Sequence, residues 1–219
     1  MNKVFFDIET VGLSDEDLLL AELVAEKNPP ANMSKPESIE KWREEKAPRL
    51  VKKSTSLDGT YGKIVSIAWA VNGSKISNCT GRSEEIILRQ FFSNVEEKWD
   101  YYPISLVGHN LQFDIRFLIK RCIILGVYLP SWIPSKLGRY SHHIFDTMLE
   151  WDSDKDKMIS QTRLAKALGI EVDESVDGSM IGDMYRDGKF DEIAAYNRDD
   201  VRISREIHGR MTKAFENVS

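Results

Sequence analysis

Cysteine, histidine and proline are scarce in this chain, at two, four and seven of 219 residues. Cys79 and Cys122 are too few and too separated for a disulfide framework or a cysteine-based zinc site, and both read as small core residues. His109, His142, His143 and His208 fit no ligand spacing and read as structural or surface groups. No apolar run is long enough to cross a bilayer and no secretory signal is recognisable, which predicts a soluble cytoplasmic protein without membrane contact. There is also no Gly/Ser/Pro-rich linker, internal repeat or low-complexity tract. A chain of 219 residues with 42% hydrophobic content is expected to form one domain over 1–219.

Positive charge is short as well, with a net charge of −5. Binding to a polyanion therefore has to rest on local clusters. Two are present, Lys46, Arg49, Lys52 and Lys53, and Arg116, Lys120 and Arg121, although a solvated face is the ordinary explanation of either.

Acidic residues, by contrast, stand where apolar ones are expected. The chain from Lys3 to Glu9 reads as a strand on which Val4, Phe6 and Ile8 form one face and Asp7 and Glu9 project together from the other. From Asp191 onward a long helix is predicted, with Ile193, Tyr196, Asn197, Asp200, Ile203 and Ile207 on one stripe. Asp199 lies about 100° away around that helix, so Asp200 interrupts the stripe and Asp199 faces water. Between them, Ile104 to Val107 reads as a strand, Gly108 to Asn110 as a loop, and Phe113 to Leu125 as a helix closed by Gly126. Asp114 falls in its first turn.

Each of these has an ordinary reading alone: solvated acids at a strand end, a core Tyr beside an Asp paired with Arg, an acid favoured by a helix dipole, and a turn asparagine. Several buried carboxylates converging on one place instead require a cation between them, and an all-oxygen site suits magnesium or manganese.

In this order and spacing, Phe6-Asp7-Ile8-Glu9-Thr10, His109-Asn110-Leu111-Gln112-Phe113-Asp114 and Tyr196-Asn197-Arg198-Asp199-Asp200 resemble the three motifs of the DEDD superfamily of 3′-to-5′ exonucleases. Tyr-x-x-x-Asp marks the tyrosine subclass. The histidine subclass would carry His where Ala195 stands. Further similarity runs through His143-Ile144-Phe145-Asp146, Leu164 to Gly169, and Gly188-Lys189-Phe190, and the set is most similar to stand-alone relatives of the family B DNA polymerase proofreading domain.

The resemblance implies an α/β fold of ribonuclease-H-like type, a mixed sheet flanked by helices. It implies Asp7, Glu9, Asp114, Tyr196 and Asp200 as catalytic residues, with the four acids holding two Mg²⁺ or Mn²⁺ ions for phosphodiester hydrolysis that releases nucleoside 5′-monophosphates. Ile8, Thr10, Asn110 and Phe113 would contact the terminal nucleotide. DNA, single-stranded or at 3′ ends, is the implied substrate, with RNA trimming or a catalytically silent binding module as alternatives. A replication or repair polymerase in trans is the implied protein partner.

One segment falls outside the resemblance, a charged insertion at about 14–60. Leu18 to Val24 and Ser38 to Glu45 read as short helices within it, and it is expected to form a partly helical flap beside the site. The remaining elements are a strand over Lys63 to Val71, an Asn72-Gly73 hairpin turn, a partner strand over Ser74 to Cys79, and a helix over Glu84 to Phe92 capped by Ser83.

Overall fold

The computed structural model describes residues 2–98, 103–134, 143–152 and 158–216. Strand β1 (Asn2–Val11) lies at the centre of a five-stranded sheet with β2 (Lys63–Val71), β3 (Ser77–Thr80), β4 (Ile104–Gly108) and β5 (Ile144–Asp146), in the order β3-β2-β1-β4-β5. The β3-β2-β1 part is antiparallel, and β1, β4 and β5 run parallel. Asn72, at φ 53°, turns the hairpin and accepts the Lys3 N–H through Oδ1 at 2.8 Å. Strand β3 begins three residues later than the sequence indicates, because Ser74 turns back to accept the Val71 N–H.

Alternation along β1 sorts its side chains onto two layers, as predicted. Val4, Phe6 and Ile8 join the main core with Phe91 and Leu88 of α4 (Glu84–Glu96) and Ile115 and Leu118 of α5 (Leu111–Leu125). Phe5 and Val11 face the other way, onto Val201 and Ile193 of α9 (Phe190–Glu216). Helix α9 therefore runs antiparallel to β1 across the sheet. Its predicted stripe is present: Ile193, Asn197 and Ile207 are fully buried and Ile203 nearly so.

The parallel pairing of β1 with β4 ends at Phe5 opposite Val107, so Asp7 and Glu9 continue beyond the neighbouring strand. On the other side, the ladder with β2 slips between Glu9 and Thr10, leaving Val65 as an extra residue. Such a bulge sharpens the local twist and re-aims the side chains around it.

The insertion holds three helices, α1 (Leu18–Glu26), α2 (Pro36–Glu45) and α3 (Ala47–Ser56), where the sequence indicated two. Helix α3 escapes a periodicity reading because its basic and polar residues conceal a narrow buried line of Ala47, Val51 and Thr55. Val51 joins Leu13 and Leu20 in a small core of its own. The C-terminal end of α3 is locked to β1. Thr10 Oγ1 donates to the Ser56 carbonyl at 2.6 Å, and a Cβ on Gly12 would lie 2.0 Å from the Lys52 carbonyl.

Two local expectations need correction. Ser83 occupies the N-cap of α4 but makes no side-chain capping bond; the next residue, Glu84, is buried instead and accepts the Ile64 N–H at 2.7 Å. Arg121 is no part of a surface basic cluster, because its guanidinium is buried in a bidentate pair with Glu84 at 2.9–3.2 Å. Lys120 is engaged too, at 2.7 Å from Asp58. Satisfying a buried carboxylate outweighs leaving that arginine in solvent, since breaking such a pair costs about 3–5 kcal/mol.

The remaining elements are α6 (Thr147–Trp151), α7 (Gln161–Ala167), α8 (Ile181–Arg186) and a short 3-10 turn (Gly178–Met180) leading into α8. Cys122 is buried and its thiol is pushed up to about 12, by burial first and then by Glu84, which leaves it chemically quiet. His208 lies between the rings of Phe5 and Phe145, at 5.4 and 4.7 Å. His142 lies outside the described residues. Among the described residues, no helix is long and apolar enough to cross a membrane.

Candidate active site

The end of β1, opposite the bulge in β2, and the first half of α9 bring Asp7, Glu9 and Asp200 together, with one carboxylate oxygen from each lying within 4.8 Å of the others. Glu9 is buried, and Asp7 and Asp200 are half-buried. Asp114 approaches from the sheet edge that β4 leaves open. Its Oδ1 accepts the Ile8 N–H at 3.1 Å, taking up a backbone donor where the neighbouring strand has ended.

Asp114 can reach β1 because α5 begins abruptly. Asn110 sits in the left-handed region at φ 56°, which asparagine tolerates better than most residues, and its N–H donates to Asp146 Oδ1 at 2.9 Å. Helix α5 consequently starts at Leu111, two residues before the sequence indication. Gly126, at φ 65°, ends it as expected. The preceding Gly108 is required by close packing, since a Cβ there would meet Leu111 Cδ1 at 2.8 Å and the Phe6 carbonyl at 3.0 Å.

On α9, Tyr196 lies one turn from Asp200, close enough for the hydroxyl and the carboxylate to influence each other's ionisation. Asp199 is turned aside and accepts Arg202 Nε at 2.6 Å, as the face argument requires. Asn197 contributes a group to which the sequence reading assigned no role. Its Nδ2 donates to Asp7 Oδ2 at 2.7 Å. The available signal was a polar residue on an otherwise apolar stripe. Asp146 was likewise visible only as part of the His143-to-Asp146 similarity; it is buried and braces the Asn110 turn.

The residues expected to meet substrate are more scattered. Asn110 is exposed, and Phe113 is half-buried with its ring 5.6 Å from that of Phe117. Thr10 is half-buried and committed to Ser56, and the Ile8 side chain is buried in the main core.

Electrostatically the cluster is frustrated. Desolvation pushes the carboxyls of Asp7, Glu9 and Asp114 well above the usual carboxylate range, and repulsion from neighbouring acids adds to it. Asp200 is pushed up to about 7, by burial first and by Asp199, against the opposing influence of the Tyr196 hydroxyl. Burial and the surrounding acids also raise the Tyr196 phenol, which stays protonated at neutral pH. None of the ion pairs among the described residues involves these four acids. An all-oxygen set of anions with no side-chain counter-ion matches the donor preference of magnesium and manganese.

A ribonuclease-H-like sheet with carboxylates gathered from its central strand and C-terminal helix defines the class. The chain belongs to the family described as predicted 3′-5′ exonucleases related to the exonuclease domain of PolB, whose model matches residues 57–210. That span contains Asp114, Tyr196 and Asp200, whereas Asp7 and Glu9 lie before it. Among solved structures, the family B DNA polymerase from the hyperthermophilic archaeon Pyrobaculum calidifontis is similar with a TM-score of 0.62 and 15% identity. The similarity covers 97% of this chain and 24% of the polymerase. No curated protein matches.

Proposed function

We propose that the protein is a divalent-metal-dependent 3′-to-5′ exonuclease of the tyrosine subclass, acting on DNA ends by two-metal hydrolysis and releasing nucleoside 5′-monophosphates. The observation that carries this reading is the convergence of the Asp7, Glu9 and Asp200 carboxylates without a cationic side chain to pair them. These three would hold the ions, with Asp114 completing the set. Bound there, Mg²⁺ or Mn²⁺ would supply Lewis-acid activation of water and stabilisation of the leaving 3′ oxygen.

The protein's own groups do the positioning. Tyr196, protonated and beside Asp200, orients the attacking water through its hydroxyl and does not take the water's proton, since a phenol that stays protonated at neutral pH has no phenolate to act as the base. The exposed Asn110 and the half-buried Phe113 offer a polar and an apolar contact to the terminal nucleotide. Thr10 and Ile8 act there through the shape of β1, because their side chains are already engaged.

The test is an oligonucleotide ladder. A 5′-labelled DNA strand, single-stranded or 3′-recessed, should shorten one nucleotide at a time with Mg²⁺ or Mn²⁺ and stay intact with chelator. Parallel RNA strands decide the sugar preference. Early internal fragments, or unchanged turnover in Asp7→Ala, would refute the reading.

A further inference from the structure

Asp7 and Ala68 are paired across β1 and β2, Ala68 is paired with Asn78 on β3, and Glu9, Ser66 and Thr80 form the next row. Both rows present their side chains to α9. Ala68, the small residue between Asp7 and Asn78, is fully buried. Over it lies Asn197, with its amide reaching Asp7 on one side and β2 and β3 on the other.

The hydrogen bonds around that amide have a direction. The Ile67 carbonyl can only accept, so it draws Asn78 Nδ2, 3.1 Å away, and turns Asn78 Oδ1 toward the Thr80 hydroxyl at 2.7 Å. Asn78 Nδ2 then also donates to Ser66 Oγ at 2.8 Å. Ser66, fully buried, lies 2.7 Å from both Asn197 Oδ1 and Thr80 Oγ1; with the Thr80 proton directed at Asn78, its single proton is shared between those two oxygens, and the Asn78 amide approaches Asn197 Oδ1 as a second donor at 3.2 Å. With its oxygen claimed from β2 and β3, Asn197 must present Nδ2 to Asp7 Oδ2. One oxygen of Asp7 is thereby held in place.

We propose that Asn197 is a positioning residue for Asp7, and that Ser66 and Asn78 hold it in that role, so that β2 and β3, neither of which contributes an acid, set the cation affinity of the site. The proposal rests on the reading that these carboxylates bind divalent metal. Ligating carboxylates depend on such outer partners for orientation, and losing one costs on the order of tenfold to a hundredfold in metal affinity.

The experiment measures Mn²⁺ binding to the full chain by electron paramagnetic resonance, without substrate, for wild type, Asn197→Leu, Ser66→Ala and the double variant. Asn197→Leu should weaken Mn²⁺ on the order of tenfold or more. Ser66→Ala should weaken it less, and add nothing once Asn197 is Leu, because the two act through one bond to Asp7. The Mn²⁺ concentration giving half-maximal nuclease rate should move in parallel, with most of the rate recovered at saturating Mn²⁺. Mn²⁺ affinity equal to wild type in both single variants, or independent losses that sum in the double variant, would overturn the proposal. If Asn197→Leu does not fold, Ser66→Ala decides alone: weakened Mn²⁺ binding supports the relay and unchanged binding overturns it. Wild-type protein that binds no Mn²⁺ would remove the metal-site reading itself, whereas wild type and variants binding alike would remove only the relay.

Discussion

Asp114 holds the backbone of Ile8 at 3.1 Å, between the two acids of the central strand, so a single carboxylate belongs both to the acidic cluster and to the edge of the sheet. The two roles separate under mutation. Asp114→Asn keeps an acceptor for the Ile8 N–H and should retain stability in chelator while losing nuclease activity. Asp114→Ala should lose activity and also about 1–3 kcal/mol of stability, the cost of a buried donor left unpaired. Equal stability in the two variants, measured by urea unfolding, would show that the bond contributes nothing.

The crowded acids predict a pH-dependent response to metal. Asp7, Glu9 and Asp114 are raised and Asp200 is raised to about 7. A raised folded-state value stabilises below the unfolded-state value, near pH 4, and that stability is lost as pH climbs through the folded one. His208, lowered to about 4 by burial, acts oppositely, losing stability as pH falls from about 6.5. The clean measure is therefore the difference in Tm between Mn²⁺ and chelator, in which His208 cancels. That difference should grow between about pH 5 and about pH 8. A flat difference would count against metal binding by these groups.

Tyr196 and Asp199 test the assignment of faces on the last helix. Tyr196→Phe should retain its fold and Mn²⁺ affinity but lose on the order of tenfold to a hundredfold in kcat, the range of a positioning contact. Asp199→Asn should leave kcat nearly unchanged, because its carboxylate is spent on Arg202. Full activity in Tyr196→Phe would sink the assignment.

Helix α3 leads from the site along an exposed row of Lys46, Arg49 and Lys53, while Lys52 is occupied by Asp15 at 2.6 Å. Replacing the three exposed residues with Ala should weaken DNA binding and flatten its salt dependence, by up to about 0.7 in log–log slope for each single-strand phosphate no longer neutralised. Lys52→Ala should change the slope least. An identical slope in the triple variant would mark the row as solvated surface only.

Gly12→Ala should separate the insertion from the sheet. The added Cβ cannot coexist with the Lys52 carbonyl 2.0 Å away, so the C-terminal end of α3 must shift from Thr10. Weaker amide-exchange protection across Val51 to Ser56, with β2 unchanged, is the expected result. Unaltered protection would mean that the backbone absorbs the methyl locally.

Much of this arrangement was written in local patterns. Alternation over two residues put Asp7 and Glu9 on one face of β1, and helical spacing put Tyr196 and Asp200 on one face of α9 and Asp199 on another, because the two backbones impose those periods whatever surrounds them. Gly126 and Asn72 marked turns because both residue types accept the left-handed backbone that those turns need. The parts that stayed hidden depend on what lies across a gap. Nothing next to Arg121 in the chain announces Glu84, and nothing near Asn197 announces Ser66 or Asn78, since those pairs form only when distant elements are brought together. Helix α3 was hidden because its burial is set by the end of β1 and by two glycines, Gly12 and Gly62, whose missing side chains admit it. Sequence periodicity determined which residues could face one another; the sheet order, the β2 bulge at Val65 and the crossing of α9 decided which of them meet, because contact and desolvation are properties of the packed whole.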